Sequence, residues 1–127
     1  ELTLPQFDAL AQLLRYPEGM TAGALSRELL VTAGNVTGII TRLEARSLIT
    51  QSPKPGDRRV KVLKLTPAGR ALAEREVVRL EECLEEIFAP LAFDEKSALQ
   101  ELLNQLRDTL KGDEADDALT HELSLRA

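Results

Sequence analysis

One segment of this chain departs from a helical reading and so limits the fold. Along most of the sequence, apolar residues recur every three or four positions, as one face of a helix requires. Between Leu48 and Thr66 they do not. LITQS and VKVLKL are short, β-compatible runs, and KPGD between them places Pro55 and Gly56 at the centre of a type II turn. A hairpin with a charged tip therefore sits in the middle of a helical chain. Its pattern is not a clean period of two, so the sequence does not assign its faces.

Helices flank the hairpin on both sides. LTLPQFDALAQLLR opens with Thr3 as N-cap and Pro5 in the first turn, followed by Phe7, Leu10, Leu13 and Leu14 at helical spacing. YPEGM breaks it through Pro17 and Gly19. TAGALSRELL restarts a short helix at Thr21, with Leu25 and Leu29 on one face. Another begins at Thr32, with Val36, Ile39, Ile40 and Leu43 on one stripe. Two short helices joined by a tight turn make a helix-turn-helix.

The second of these helices has an unusual outer face. At about 100° per residue, Gly34, Thr37, Gly38, Thr41 and Ala45 point away from the apolar stripe, with Asn35 and Arg42 on its flank. Each glycine costs about 1 kcal/mol relative to alanine in a helix. Such a face suits close approach of another molecule to the backbone; the plain alternative is a weak helix with a solvent side.

After the hairpin, Thr66 and Pro67 start a long helix in which Leu72/Ala73, Val77, Leu80, Leu84 and Ile87/Phe88 form a seam like that of a coiled coil. Glu74, Glu76, Glu81, Glu82, Glu85 and Glu86 occupy the other face, and Pro90 ends the helix. FDEKSALQELLNQLRDTL is a final amphipathic helix, capped by Asp94, with Leu99, Leu102, Leu103, Leu106 and Leu110 apolar. The expected organisation is a lead-in helix over 1–19, a helix-turn-helix with hairpin over 20–66, two long helices over 67–111 and an acidic tail over 112–127.

Charge separates along the same lines. The chain has a formal net charge of −5. Residues 20–66 nevertheless carry eight basic and three acidic side chains, while the remainder carries eight and eighteen. Lys54, Arg58, Arg59, Lys61 and Lys64 crowd the hairpin, with Asp57 as the lone acid. A basic unit in an acidic chain suits one face that meets an anion. Asp57 can orient a neighbouring arginine through a bidentate pair.

Other chemistries lack their residues. One histidine, His121, and one cysteine, Cys83, build neither a metal site nor a catalytic nucleophile with its base. The glycines match neither a phosphate loop nor a dinucleotide fingerprint, so no enzyme and no cofactor are expected. Cys83 is read as a packing residue of the long helix, with redox sensing as the alternative. A single cysteine fits a reducing cytoplasm, and the apolar runs are too short to span a bilayer.

The helix-turn-helix suits double-stranded DNA. Thr32, Asn35, Thr37, Gly38, Thr41 and Arg42 would face the major groove, and Arg58, Arg59 and Lys61 the neighbouring backbone or minor groove. At this point the sequence resembles the MarR family of winged-helix transcriptional regulators. PGDRRVKVLKLT carries that family's wing signature in Asp57, Arg59, Leu63, Leu65 and Thr66, and VTAGNVTGIITRLEARSLI resembles its recognition helix. TPAGRAL resembles the entry to its dimerisation helix.

The resemblance implies a mainly α fold with a small β-hairpin and long C-terminal dimerisation helices. It also implies a homodimer on a near-palindromic operator, released by a small phenolic or anionic effector. Arg59 matches the wing arginine and Asp57 the residue that steadies it. The dimer would form through Val77, Leu80, Leu84, Ile87, Leu99, Leu103 and Leu106. Two departures stand out. The family's additional N-terminal helix is not found before Leu2, so either it is missing from this chain or the dimer differs, and Ser47 stands where glycine is common after the recognition helix. The alternative function is a winged-helix module whose basic wing meets an acidic protein.

Overall fold

The computed structural model describes residues 1–111; the tail over 112–127 and His121 lie outside them. The elements are α1 (Leu4–Arg15), β1 (Met20–Thr21), α2 (Ala22–Leu29), α3 (Ala33–Ala45), β2 (Ile49–Lys54), β3 (Asp57–Leu65), α4 (Pro67–Phe88) and α5 (Phe93–Lys111). They divide into two compact units, Glu1–Cys83 and the chain from Leu84 onward.

Every helix that begins in the first unit starts at a threonine, as expected from the sequence. The Thr3 hydroxyl accepts from the Gln6 amide and the Gln6 side chain answers on the Thr3 amide, a complete capping box. Thr21 accepts from the Ala24 amide at 3.1 Å and Thr32 from the Asn35 amide at 3.4 Å. Thr66 accepts from the Gly69 amide at 2.9 Å. Each bond satisfies one of the amides that a helix start leaves without a partner.

The hairpin forms as expected, but a third strand joins it. β3 lies between β1 and β2 in an antiparallel sheet, with Met20 opposite Leu63 and Gln51 opposite the same residue on the other side. β1 has two residues, too few to show any periodicity, which is why the sequence concealed it. Gly56 closes the turn with φ +86°, the sign that a type II turn requires at that position.

The core of the first unit draws on every one of its elements. Leu10, Leu13, Leu25, Val36, Leu43 and Leu63 are its largest fully buried side chains, and Ala73 extends it onto α4. The apolar stripe of α3 (Val36, Ile39, Ile40 and Leu43) is buried throughout. Fully burying one such aliphatic side chain is worth about 1.5–3 kcal/mol, so this stripe fixes which side of α3 faces out.

The exit from α3 departs from what its residues prefer. Ser47 has φ +55°. Its amide donates to the Glu44 carbonyl at 2.8 Å and the Leu48 amide to the Leu43 carbonyl at 3.0 Å. This is the Schellman arrangement, with Leu43 and Leu48 meeting in the core. Leu30, after α2, is also left-handed, with φ +54°, and carries a similar pair of bonds to Arg27 and Ser26. In neither place did a glycine mark the turn.

In the second unit, α4 ends at Phe88, and the Leu91 amide bonds the Phe88 carbonyl at 3.0 Å. Asp94 does not cap α5. The helix begins one residue earlier, at Phe93, and the Glu95 carboxylate accepts from the Ala92 amide at 2.9 Å. Asp94 lies in the first turn, where its charge favours the helix N-terminus.

Two substitutions test the α3 exit. Ser47→Gly should stabilise the protein by about 1 kcal/mol, because a left-handed L-residue costs about 1–2 kcal/mol and glycine gives part of that back in chain entropy. Gly69→Ala should destabilise it by about 1–3 kcal/mol, since a Cβ there would run into the Leu48 carbonyl. Urea midpoints at constant slope read both.

Candidate nucleic-acid interface

With its apolar stripe buried, α3 presents the opposite face to solvent. Gly34, Asn35, Thr37, Gly38, Thr41, Arg42 and Ala45 are all exposed. The space beside Gly34 and Gly38 is open to a distance of 4 Å from where a Cβ would stand. The side chains that rise from this face are therefore few and mostly short. Thr32 is exposed too, but its hydroxyl is engaged in capping the helix. Glu44, on the inner flank, accepts from the Gln51 side chain at 2.8 Å and ties α3 to β2.

The hairpin tip owes its form to a break in the ladder. Pro53 pairs with Lys61, yet the next residue, Lys54, pairs with Asp57. Arg58, Arg59 and Val60 fall in the shift between those two pairs. Proline has no N–H to give the ladder, and the irregularity accounts for the missing period of two. Arg58, Arg59 and Lys61 are exposed.

Asp57 does not hold an arginine side chain. Its Oδ1 accepts from the Arg59 backbone amide at 3.0 Å, a turn made by a side chain standing in for backbone. The expected bidentate pair is absent among the described residues. The acid shapes the loop, and neither guanidinium group has an ion-pair partner among the described residues.

This electrostatic arrangement distinguishes the basic unit from the rest. The described ion pairs are Arg70–Glu74, Arg75–Glu76, Arg79–Glu76 and Arg107–Asp108, all on α4 and α5. No described ion pair involves Arg42, Lys54, Arg58, Arg59, Lys61 or Lys64. Among the described residues, the cations beside the open face of α3 and on the hairpin thus have no carboxylate partner, while the arginines of α4 and α5 are paired.

Thr66 and Gly69 join this face to the long helix. The Thr66 hydroxyl donates to the Ser47 and Leu48 carbonyls at 2.8 and 3.2 Å, and the Thr66 amide reaches Leu48 at 3.0 Å. Gly69 packs directly on the Leu48 carbonyl. Thr66 was legible as a cap; nothing in the sequence singled out Gly69, whose role is contact across 21 residues.

The expected seam divides. Leu72 packs against the core of the first unit and Ala73 is buried in it. Val77 and Leu99 are half-buried, and Leu80, Leu84, Ile87, Leu103 and Leu106 are exposed. A cavity of about 730 Å³ opens between the start of α1 and α4, lined by Phe7, Leu72 and Leu80 with Arg46, Arg75, Arg79 and Cys83. Cys83 is exposed, so it is not a core residue, and Arg79 lies one turn before it. Among the described residues there is no group of three His, Cys, Asp or Glu that could hold a metal, and no helix long and apolar enough to cross a membrane.

Known proteins share this architecture. A family model described as the MarR family matches residues 1–60. The HTH-type transcriptional repressor NicR of Pseudomonas putida is 32% identical over 109 residues, which are 86% of this chain and 68% of that protein. The solved structure of BpsR from Bordetella bronchiseptica, whose DNA binding is regulated by 6-hydroxynicotinic acid, is 34% identical with a TM-score of 0.76. The match covers 85% of this chain and 76% of that one. A mutant MarR from E. coli, complexed with operator DNA, gives a TM-score of 0.73 at 28% identity, over 84% and 76% of the two chains.

If Asp57 acts on the backbone, the two obvious replacements should differ. Asp57→Asn keeps an oxygen acceptor and should leave the Arg59 amide protected from hydrogen exchange. Asp57→Ala should expose it, with exchange at Arg59 faster by about tenfold, the scale of one hydrogen bond.

Proposed function

The chain belongs to the MarR family of winged-helix transcriptional regulators, and from that membership we propose that it is a homodimeric, ligand-responsive repressor acting in the cytoplasm on a near-palindromic operator. α3 enters the major groove and the hairpin, as the wing, reaches the flanking minor groove. The observation that carries this reading is the set of cations at Arg42 and along the wing that have no ion-pair partner among the described residues, set beside a helix face low enough for DNA to approach. An anionic groove supplies partners for them.

Each residue has a role in this reading. Thr32, Asn35, Thr37, Gly38, Thr41 and Arg42 meet base edges and the adjoining phosphates. Arg59 enters the minor groove, while Arg58 and Lys61 lie along the backbone. Asp57 holds the wing loop in shape. Val77, Leu80, Leu84 and Ile87 on α4, with Leu99, Leu103 and Leu106 on α5, form the dimer contact. The exposure of Leu80, Leu84, Ile87, Leu103 and Leu106 in the single chain supports this, since exposed apolar surface marks an association site.

The cavity beside α1 supports an effector of the phenolic or anionic kind. Its apolar wall suits an aromatic ring and Arg46 a carboxylate, while Arg75 and Arg79 are engaged by Glu76 in the same lining. The aromatic acid that regulates BpsR is of this chemical type. Binding there touches Arg46, the C-cap of α3, and so adjoins the DNA-reading element.

Selection of duplexes from a random pool tests the proposal. It should enrich a two-fold related pair of half-sites about one helical turn apart. Affinity for the selected duplex should fall steeply with salt, with a slope near −0.9 per phosphate neutralised. Arg59→Ala should weaken that affinity by about 1–3 kcal/mol, as loss of one specific contact does; unchanged binding would remove Arg59 from the interface. Leu84→Asp should shift sedimentation from dimer to monomer, and a charged variant that still sediments as a dimer would place the contact elsewhere.

A further inference from the structure

The outward hydroxyls of α3 already have an acceptor. Thr37 Oγ1 donates to the Ala33 carbonyl at 3.0 Å, and Thr41 Oγ1 donates to the Thr37 carbonyl at 3.0 Å. Both residues are exposed, so burial does not force these bonds; the helix supplies the acceptor locally. A hydroxyl has one proton and two lone pairs. With the proton engaged inside the helix, Thr37 and Thr41 offer the outside a lone pair and a methyl group.

That surface discriminates among bases. In the major groove, adenine N6 and cytosine N4 donate, thymine shows a methyl beside its O4 acceptor, and guanine shows two acceptors, N7 and O6. An acceptor-and-methyl surface matches an exocyclic amine or the thymine methyl. Facing guanine, it sets lone pair against lone pair unless threonine gives up its intrahelical bond. The two threonines are one turn apart on the helix, about 6 Å, or roughly two base-pair steps. Gly34 and Gly38 leave open space beside them, so a side chain as short as threonine can reach the base edges. The donors left on this face are the Asn35 amide, the Arg42 guanidinium and the Thr32 hydroxyl, which caps the helix as an acceptor and keeps its proton.

We infer that Thr37 and Thr41 read two half-site positions, about two base pairs apart, as acceptors and methyl contacts. They select adenine, cytosine or thymine on the facing strand and reject guanine, which falls to Arg42. This inference rests on the major-groove reading of α3 given above.

Duplex selection with the full chain and four variants tests it. The positions concerned are those whose base preference changes on substitution. Thr37→Val and Thr41→Val keep the methyl and remove the lone pair; each should lose the adenine or cytosine preference at one position and keep thymine. On a duplex with an amine facing the threonine, affinity should drop about tenfold, the low end of the cost of one wrong base pair. Thr37→Ser and Thr41→Ser remove the methyl and should show the reverse pattern. Thermal melts of the free variants establish that all four remain folded. Enrichment of guanine opposite either threonine by the wild-type chain overturns the inference. So do valine variants that select the same bases with the same affinity. A wild-type chain that enriches no duplex overturns the DNA-binding reading itself, and the inference with it, which is a different result from guanine enrichment.

Discussion

The Leu48 carbonyl is the point on which this molecule turns. It accepts from both the amide and the hydroxyl of Thr66, and Gly69 lies directly against it. Four things meet there: the end of α3, the start of the wing, the end of the wing, and the first turn of α4. The separate bonds are individually modest, at about 0.5–1.5 kcal/mol each, but they close the hairpin as a loop whose two ends are held together. The wing therefore projects from a fixed base, and the direction of α3 is tied to that of the long helix.

A second organising feature is electrostatic. Along α4 and α5 the arginines find carboxylates on their own helix, at spacings from neighbouring residues to one turn. Around α3 and the wing they find none among the described residues. Exposed ion pairs contribute little to stability, so the pattern matters less for holding the fold than for what the surface presents. Charge left without a partner among the described residues acts at a distance, and a separation of sign of this kind orients a charged partner during encounter and not only after contact.

What the sequence made legible was local. Threonine caps, the Pro55-Gly56 turn and the apolar stripe of α3 are written in neighbouring residues, and each appears where those residues place it. What it concealed depends on distant partners. β1 exists because β3 offers it an edge, and Gly69 is needed because a carbonyl 21 residues earlier lies against it. The function of Asp57 was legible as steadying but not its partner, because a carboxylate beside two arginines reads as an ion pair while the nearer donor is a backbone amide. The start of α5 moved for a related reason: Glu95 could reach the Ala92 amide, so the helix began a residue before the expected cap. On the outward face of α3, residue types were readable from spacing, whereas the commitment of the threonine protons required atomic positions.

The break in the ladder at Pro53 and Lys54 has a consequence for how copies of this chain behave in a crowded cell. β2 is an edge strand, and the opposite edge, β1, is two residues long. An edge strand with a regular row of free amides and carbonyls is a template for runaway sheet growth. Here one edge is too short to recruit a neighbour. The other ends in a proline without an N–H, a lysine and a lost register. The same irregularity that frees the wing arginines from the ladder interrupts the edge that β2 presents.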